Sequence, residues 1–170
     1  MRENEIVIRP IGRIRTLHTD AEVKESFDGV PGEIEVFEEY SDGLEGLEGF
    51  SHIVIVAYLD KVTVENRKVL KVRPRWIVKY AEDPNAVLPV GVFNTRSPHR
   101  PNPVALSVVR LMRRRGNVLE VDGLDLFDGT PVIDLKPYVP MDQGEEVRFP
   151  PWFSEMRAKV RREKGRDLTF

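Results

Sequence analysis

The sequence contains no cysteine and only three histidines, His18, His52 and His99. Disulfides, thiolate metal sites and cysteine nucleophiles are excluded together, and so few imidazoles leave no metal expected. No apolar run approaches the roughly eighteen residues that a membrane-spanning helix needs. The opening stretch Met1-Arg2-Glu3-Asn4-Glu5 lacks the apolar core of a signal peptide, so the expectation is a cytoplasmic protein without membrane association. A Gly-rich nucleotide turn is missing as well. The nearest stretch, from Gly43 through Gly46 to Gly49, has the wrong spacing, and its carboxylates would repel phosphate. It reads as a short helix with glycine ends. Neither a Walker loop nor a Ser/His/Asp constellation is present.

What is present describes one folded domain. The 170 residues are 41% hydrophobic and 32% charged, enough apolar content for a core in an ordinary water-exposed protein. A net charge of −2 conceals an asymmetry: residues 1–50 carry 5 Lys/Arg against 13 Asp/Glu, and residues 51–170 carry 21 against 15. Most of the basic excess falls in two clusters, Arg110, Arg113, Arg114, Arg115 and Arg157, Lys159, Arg161, Arg162, Lys164, Arg166. Such clusters either meet phosphate or form solvated faces, and composition leaves both open.

Short runs rich in β-branched residues predict strands over 6–17, 32–40, 53–59, 69–72, 76–78, 90–93, 105–112, 118–121 and 132–135, with bends at Pro10-Ile11-Gly12 and Pro74. Turn signals fall between them at Asp28-Gly29, Asp42-Gly43, Asp83-Pro84-Asn85, Arg115-Gly116-Asn117 and Asp128-Gly129. This spacing predicts a barrel or sandwich rather than a doubly wound sheet. One amphipathic helix comes after Pro150-Pro151, with Trp152, Met156 and Val160 on one face, and a smaller one spans Leu44 to Leu47. The expected organisation is a mostly β domain over residues 1–149 and a short basic helix over 150–170 packed on it.

Three clusters carry chemistry. In the segment from Gly91 to Ser107, Pro98, Pro101 and Pro103 stiffen a non-helical loop that also carries Arg96, Ser97, His99, Arg100 and Asn102. A stiff, donor-rich loop suits a pre-organised site for a carboxylate, a phosphate or a stacked base; the alternative is a structural loop whose arginines pair with the acidic first third. Around the Asp128-Gly129 turn lie Asp125, Asp134 and Lys136. Period two puts Asp134 and Lys136 on one strand face, as a ligand-binding pair, a base or a structural salt bridge. His52 opens the apolar strand after Phe50-Ser51, where a histidine is either structural or catalytic.

These clusters, in this order, resemble the TrmO/TsaA-like family of S-adenosylmethionine-dependent methyltransferases. The likeness is carried by Pro10-Ile11-Gly12-Arg13-Ile14-Arg15, by Leu47-Glu48-Gly49-Phe50-Ser51-His52, and by Thr95-Arg96-Ser97-Pro98-His99-Arg100-Pro101-Asn102-Pro103. Leu124-Asp125-Leu126-Phe127-Asp128-Gly129-Thr130-Pro131 and Asp134-Leu135-Lys136-Pro137-Tyr138 complete it. The resemblance implies a small closed β-barrel with a short C-terminal helix, S-adenosyl-L-methionine as cofactor, and a homodimer closing around it. It also implies N(6)-methylation of threonylcarbamoyladenosine beside the anticodon, with the tRNA anticodon loop as partner. Transferred position by position, the cofactor contacts fall on Arg100, Arg110, Leu126, Phe127, Asp128 and Gly129. Chemistry adds Asn102 on the cofactor side and Arg96 for the threonyl carboxylate. The amide-like N(6) must lose a proton, for which Asp134, His52 and Asp125 are the candidates.

Two stretches depart from the family's pattern. Thr19 to Val30 lacks the Pro-Arg-Gln-type cofactor contact and is more acidic, and a basic helix succeeds the barrel where longer bacterial members carry a further domain. Two other readings stay open: a same-fold methyltransferase acting on a small molecule or protein, and a non-catalytic S-adenosylmethionine-binding module.

Overall fold

A computed structural model of the chain describes residues 6–140 and 149–165. In chain order the strands and α-helices begin with β1 (Gly12–Arg15), α1 (Asp20–Glu25), β2 (Val30–Val36), β3 (His52–Tyr58), α2 (Val64–Arg67) and β4 (Lys71–Val72). They continue with α3 (Arg75–Tyr80), β5 (Val90–Gly91), β6 (Val104–Arg115), β7 (Val118–Leu124), β8 (Pro131–Pro137) and α4 (Pro151–Lys164). The chain divides into two units, Met1–Lys61 with Pro103–Val139, and Val62–Asn102 with Pro140–Phe170.

The first unit is a closed six-stranded barrel in the order β1-β2-β7-β6-β3-β8, with β8 pairing back onto β1 and every pairing antiparallel. Period-two alternation turns one side chain in two inward. Ile14, Ile34, Val36, Ile53, Ile55, Val109, Leu119 and Val132 are all at most 1% exposed. Burying each contributes about 1.5–3 kcal/mol, and cutting Ile55 to alanine would cost about 2–5 kcal/mol. Gly116 (φ 61) and Asn117 join β6 to β7, and the positive φ falls on the first loop residue, where a type II′ hairpin needs glycine.

The outer wall is tied by ion pairs. Arg13 and Arg15 both reach the Glu35 carboxylate at 2.8 Å. Their hydrogen bonds, Arg13 first, hold Glu35 down at about 2 against an ordinary 4.5. Glu33 and Glu120 face each other across β2 and β7, a like-charge pairing that would destabilise the sheet. Arg115 bridges them, 2.7 Å from Glu33 and 2.6 Å from Glu120. Arg113 adds a second contact to Glu120 at 2.5 Å. Two carboxylates of the acidic first third, Glu33 and Glu48, thus meet the basic β6 cluster on the outer wall.

In the second unit β4 and β5 form a two-stranded sheet. Helix α4 starts from Pro150, buries Val160 and stacks Phe153 on Phe149 at 5.2 Å. Trp152 is half-buried on the expected face; the side chain of Met156 and all of Arg166 lie outside the described residues.

Several elements differ from the sequence expectation. The run 6–17 pairs only over Gly12–Arg15; Ile6, Val7 and Ile8 are exposed, and Pro10 has no amide to give a ladder. The expected strand 76–78 is helix α3, for which Pro74 serves as the residue before the first turn rather than as a strand break. Residues 32–40 leave the sheet after Val36 and wind into a 3-10 turn, Glu38–Leu44, and a second one covers Leu47–Gly49. Only Val90–Gly91 of the run 90–93 is strand. Helix α1 went unpredicted although Thr19 and Glu22 form a reciprocal capping box, a signature readable in the sequence.

Candidate functional site

The segment between β7 and β8 is fixed to the barrel through β1. The Gly129 amide donates to the Ile14 carbonyl at 2.9 Å, and the Ile14 amide donates to the Thr130 carbonyl at 2.9 Å. The Thr16 amide donates to Asp128 Oδ1 at 3.0 Å, and the Thr130 amide closes the turn onto the Phe127 carbonyl at 3.2 Å. Gly129 takes φ 80, and a Cβ added there would meet nothing within 4 Å, so the backbone is open to close approach. Leu126 is 2% exposed, and half-buried Phe127 carries the Lys61 ammonium 5.0 Å from its ring centroid. Asp20 holds that ammonium at 2.6 and 2.9 Å. Next to the turn, the buried Ser107 hydroxyl donates to Asp125 Oδ1.

A second group lies on the outward side of β3 and β6. His52 and Arg110 are direct register partners. The His52 ring has Nδ1 3.0 Å from Ser51 Oγ and meets Tyr138 edge-on at 6.3 Å. Arg110 is exposed and makes no ion pair with a described residue, and Asp122 is its register partner on β7. Three residues further along, the strand behaves differently. Arg113 and Arg115 are paired as above, and Arg114 donates to the Gly116 carbonyl at 2.8 Å and lies 3.7 Å from Glu48. The phosphate reading of Arg113, Arg114 and Arg115 therefore gives way to a structural one.

Asp134 sits on β8 with Oδ2 2.6 Å from Lys136 Nζ and Oδ1 accepting from the Leu135 amide at 2.9 Å. Of the alternatives for this pair, the salt bridge is the one formed.

In the second unit, the Pro-rich loop is stiffened by a relay as well as by proline. Thr95 Oγ1 donates to the Val92 carbonyl at 2.9 Å, the Ser97 amide donates to Thr95 Oγ1 at 3.2 Å, and the His99 amide to Ser97 Oγ at 3.2 Å. Arg96, His99 and Asn102 are exposed on it, and Arg100 is half-buried without an ion pair to a described residue. On α4, Ser154, Arg157, Ala158, Arg161 and Arg162 line a surface depression. Among the described residues no group of His, Cys, Asp and Glu is placed to hold a metal, and no helix is long and apolar enough to cross a membrane.

The model of the tRNA-methyltransferase O N-terminal domain matches residues 22–143, well over half of the chain. The chain belongs to the TrmO family. A solved structure described as the crystal structure of TrmO superposes with a TM-score of 0.63 at 33% identity, covering 86% of this chain and 66% of that one. An Archaeoglobus fulgidus protein named S-adenosyl-L-methionine-binding protein is 38% identical over 138 residues, 79% of this chain and 91% of its own length. A mouse protein named tRNA (adenine(37)-N6)-methyltransferase is 39% identical over 104 residues, 61% of this chain but 22% of the mouse chain. The barrel with a short C-terminal helix is thus a TrmO fold.

Sequence reading missed Ser107 and Lys61. Ser107 was legible as the one polar residue on the inward period of the aliphatic run in β6. Lys61 had no local signal, because its partners Asp20 and Phe127 come from distant segments.

Proposed function

We propose that this chain is a cytoplasmic S-adenosyl-L-methionine-dependent tRNA methyltransferase that modifies the N(6) of threonylcarbamoyladenosine next to the anticodon. The mouse relative's named activity, at 39% identity, is the observation that carries this reading. The turn supports the cofactor on its own geometry. A half-buried Phe127, a fixed acceptor at Asp125 and open space over Gly129 suit a nucleoside. Leu126, Phe127, Asp128 and Gly129 hold it, together with Arg110 on the same barrel.

When bound, the cofactor supplies an electrophilic methyl group on a sulfonium; the protein's task is positioning. The chemistry of Arg96, exposed on the Pro-rich loop, suits the threonyl carboxylate. For the N(6) proton, His52 is the strongest of the three candidates. Asp134 is engaged by Lys136, whereas His52 lies opposite Arg110 and keeps Nε2 for a proton. Leu106 and Met112, 57% and 53% exposed on either side of Arg110 on β6, are apolar side chains that a second copy of the chain would cover in a homodimer.

A second reading is a cofactor-binding module, or a same-fold methyltransferase with another acceptor. It is favoured by the Archaeoglobus relative, whose name claims binding alone. Nucleoside mass spectrometry of tRNA from cells with and without the protein separates the two. Methylated threonylcarbamoyladenosine that disappears on deletion supports the first reading. An unchanged profile alongside tight cofactor binding supports the second.

A further inference from the structure

The geometry points to a ribose-diol acceptor made by Asp125, with Ser107 as the positioning residue behind it. This rests on the reading that the β7–β8 turn takes S-adenosyl-L-methionine. Ser107 is 4% exposed and shares the inward period of Val109 and Leu111, where an aliphatic side chain would add to the core. Its only hydroxyl proton goes to Asp125 Oδ1. A buried hydroxyl at such a position is tolerated because it is satisfied, and its partner is an exposed carboxylate that has no structural need of it.

The neighbouring carboxylates are engaged differently. Asp20 holds Lys61, Asp128 accepts from the Thr16 amide, and Asp134 holds Lys136. Asp125 makes no ion pair with a described residue. With Oδ1 fixed by Ser107, its second oxygen remains an acceptor of set direction, since an ionised carboxylate can only accept. Two residues on, the half-buried Phe127 supplies apolar surface, and Leu126 anchors the turn in the core. A nucleoside presents a flat base and a vicinal diol side by side, and an acidic residue on the ribose is a recurrent solution for nucleotide ligands. The serine's contribution is to remove rotamer freedom from the aspartate before the ligand arrives.

The test is calorimetric titration of the full chain with S-adenosylhomocysteine, its 2′-deoxy and 3′-deoxy forms, and 5′-methylthioadenosine, which keeps the ribose and lacks the amino-acid tail. Ser107→Ala and Asp125→Asn should each weaken S-adenosylhomocysteine and 5′-methylthioadenosine by about tenfold. Neither should change the affinity for at least one deoxy form, because the lost partner is already absent there. Ser107→Thr, which keeps the hydroxyl, should restore binding. Equal losses for ribo and both deoxy ligands, no loss with 5′-methylthioadenosine, or no loss at all would overturn the assignment. If Ser107→Ala does not fold, Asp125→Asn, altered at an exposed position, makes the same comparison. A wild-type protein that binds none of these ligands would sink the cofactor reading and this inference with it. Unaffected variants of a binding wild type would sink only the inference.

Discussion

Strand β6 uses the same side chain in two ways. At its far end Arg113 and Arg115 close an ion-pair network with Glu120 and Glu33, and Arg114 lies against Gly116 and Glu48. Nearer the middle, Arg110 faces His52 and Asp122 across the sheet and makes no ion pair with a described residue. An arginine held in an ion pair is part of the wall. An arginine left without one can still form its strong charge-assisted bonds with a ligand. A basic cluster read as a unit from sequence is therefore two populations, and their partners on neighbouring strands decide which is which.

That division can be broken in several places. The largest effect is expected at the β7–β8 turn. Gly129→Val puts a branched side chain at φ 80 and fills the open space above it. It should abolish cofactor binding in a titration while lowering barrel stability by only about 1–2 kcal/mol. Next, Glu120→Lys sets a third positive charge against Arg113 and Arg115. It should lower the thermal midpoint by several degrees and leave cofactor affinity unchanged; a loss of binding instead would place the network in the site.

Acid should act through Glu35. Its carboxyl is held at about 2 in the folded chain against an ordinary 4.5, so its contribution is present above about 4.5 and is lost as pH falls towards 2. Thermal midpoints measured across that window should fall for the wild type and fall less steeply for Glu35→Gln. The smallest effect concerns tRNA. Because Arg113 and Arg115 are paired, replacing both with alanine should leave the salt dependence of tRNA binding unchanged. Replacing Arg161 and Arg162, which make no ion pairs with described residues, should reduce the slope by about 1–2.

The sequence was most readable where a single strand or turn carries its own signal. Short apolar, β-branched runs marked β3 and β7, and Asp128-Gly129 marked the turn that closes on β1. It was least readable where long-range partners decide. Pro74 looks like a strand break and is the start of α3, because both a helix entrance and a strand interruption accept proline's fixed φ and missing amide. Arg113 and Arg115 looked available for phosphate because Glu33 and Glu120 are brought to them only by the β2-β7-β6 order. Asp134 was recognised as sharing a face with Lys136, and the 2.6 Å contact shows why that spacing alone does not make a base. The Pro-rich loop was legible as stiff from its prolines; the Thr95–Ser97–His99 relay adds a second cause that composition does not reveal.

The division between wall and ligand arginines is tested by calorimetric titration of S-adenosyl-L-methionine into the wild type, Arg110→Ala and Arg115→Ala. Saturable binding to the wild type is expected, with a loss of about tenfold or more for Arg110→Ala at an unchanged thermal midpoint, and wild-type affinity for Arg115→Ala. No binding to the wild type, or equal losses in the two variants, would contradict it.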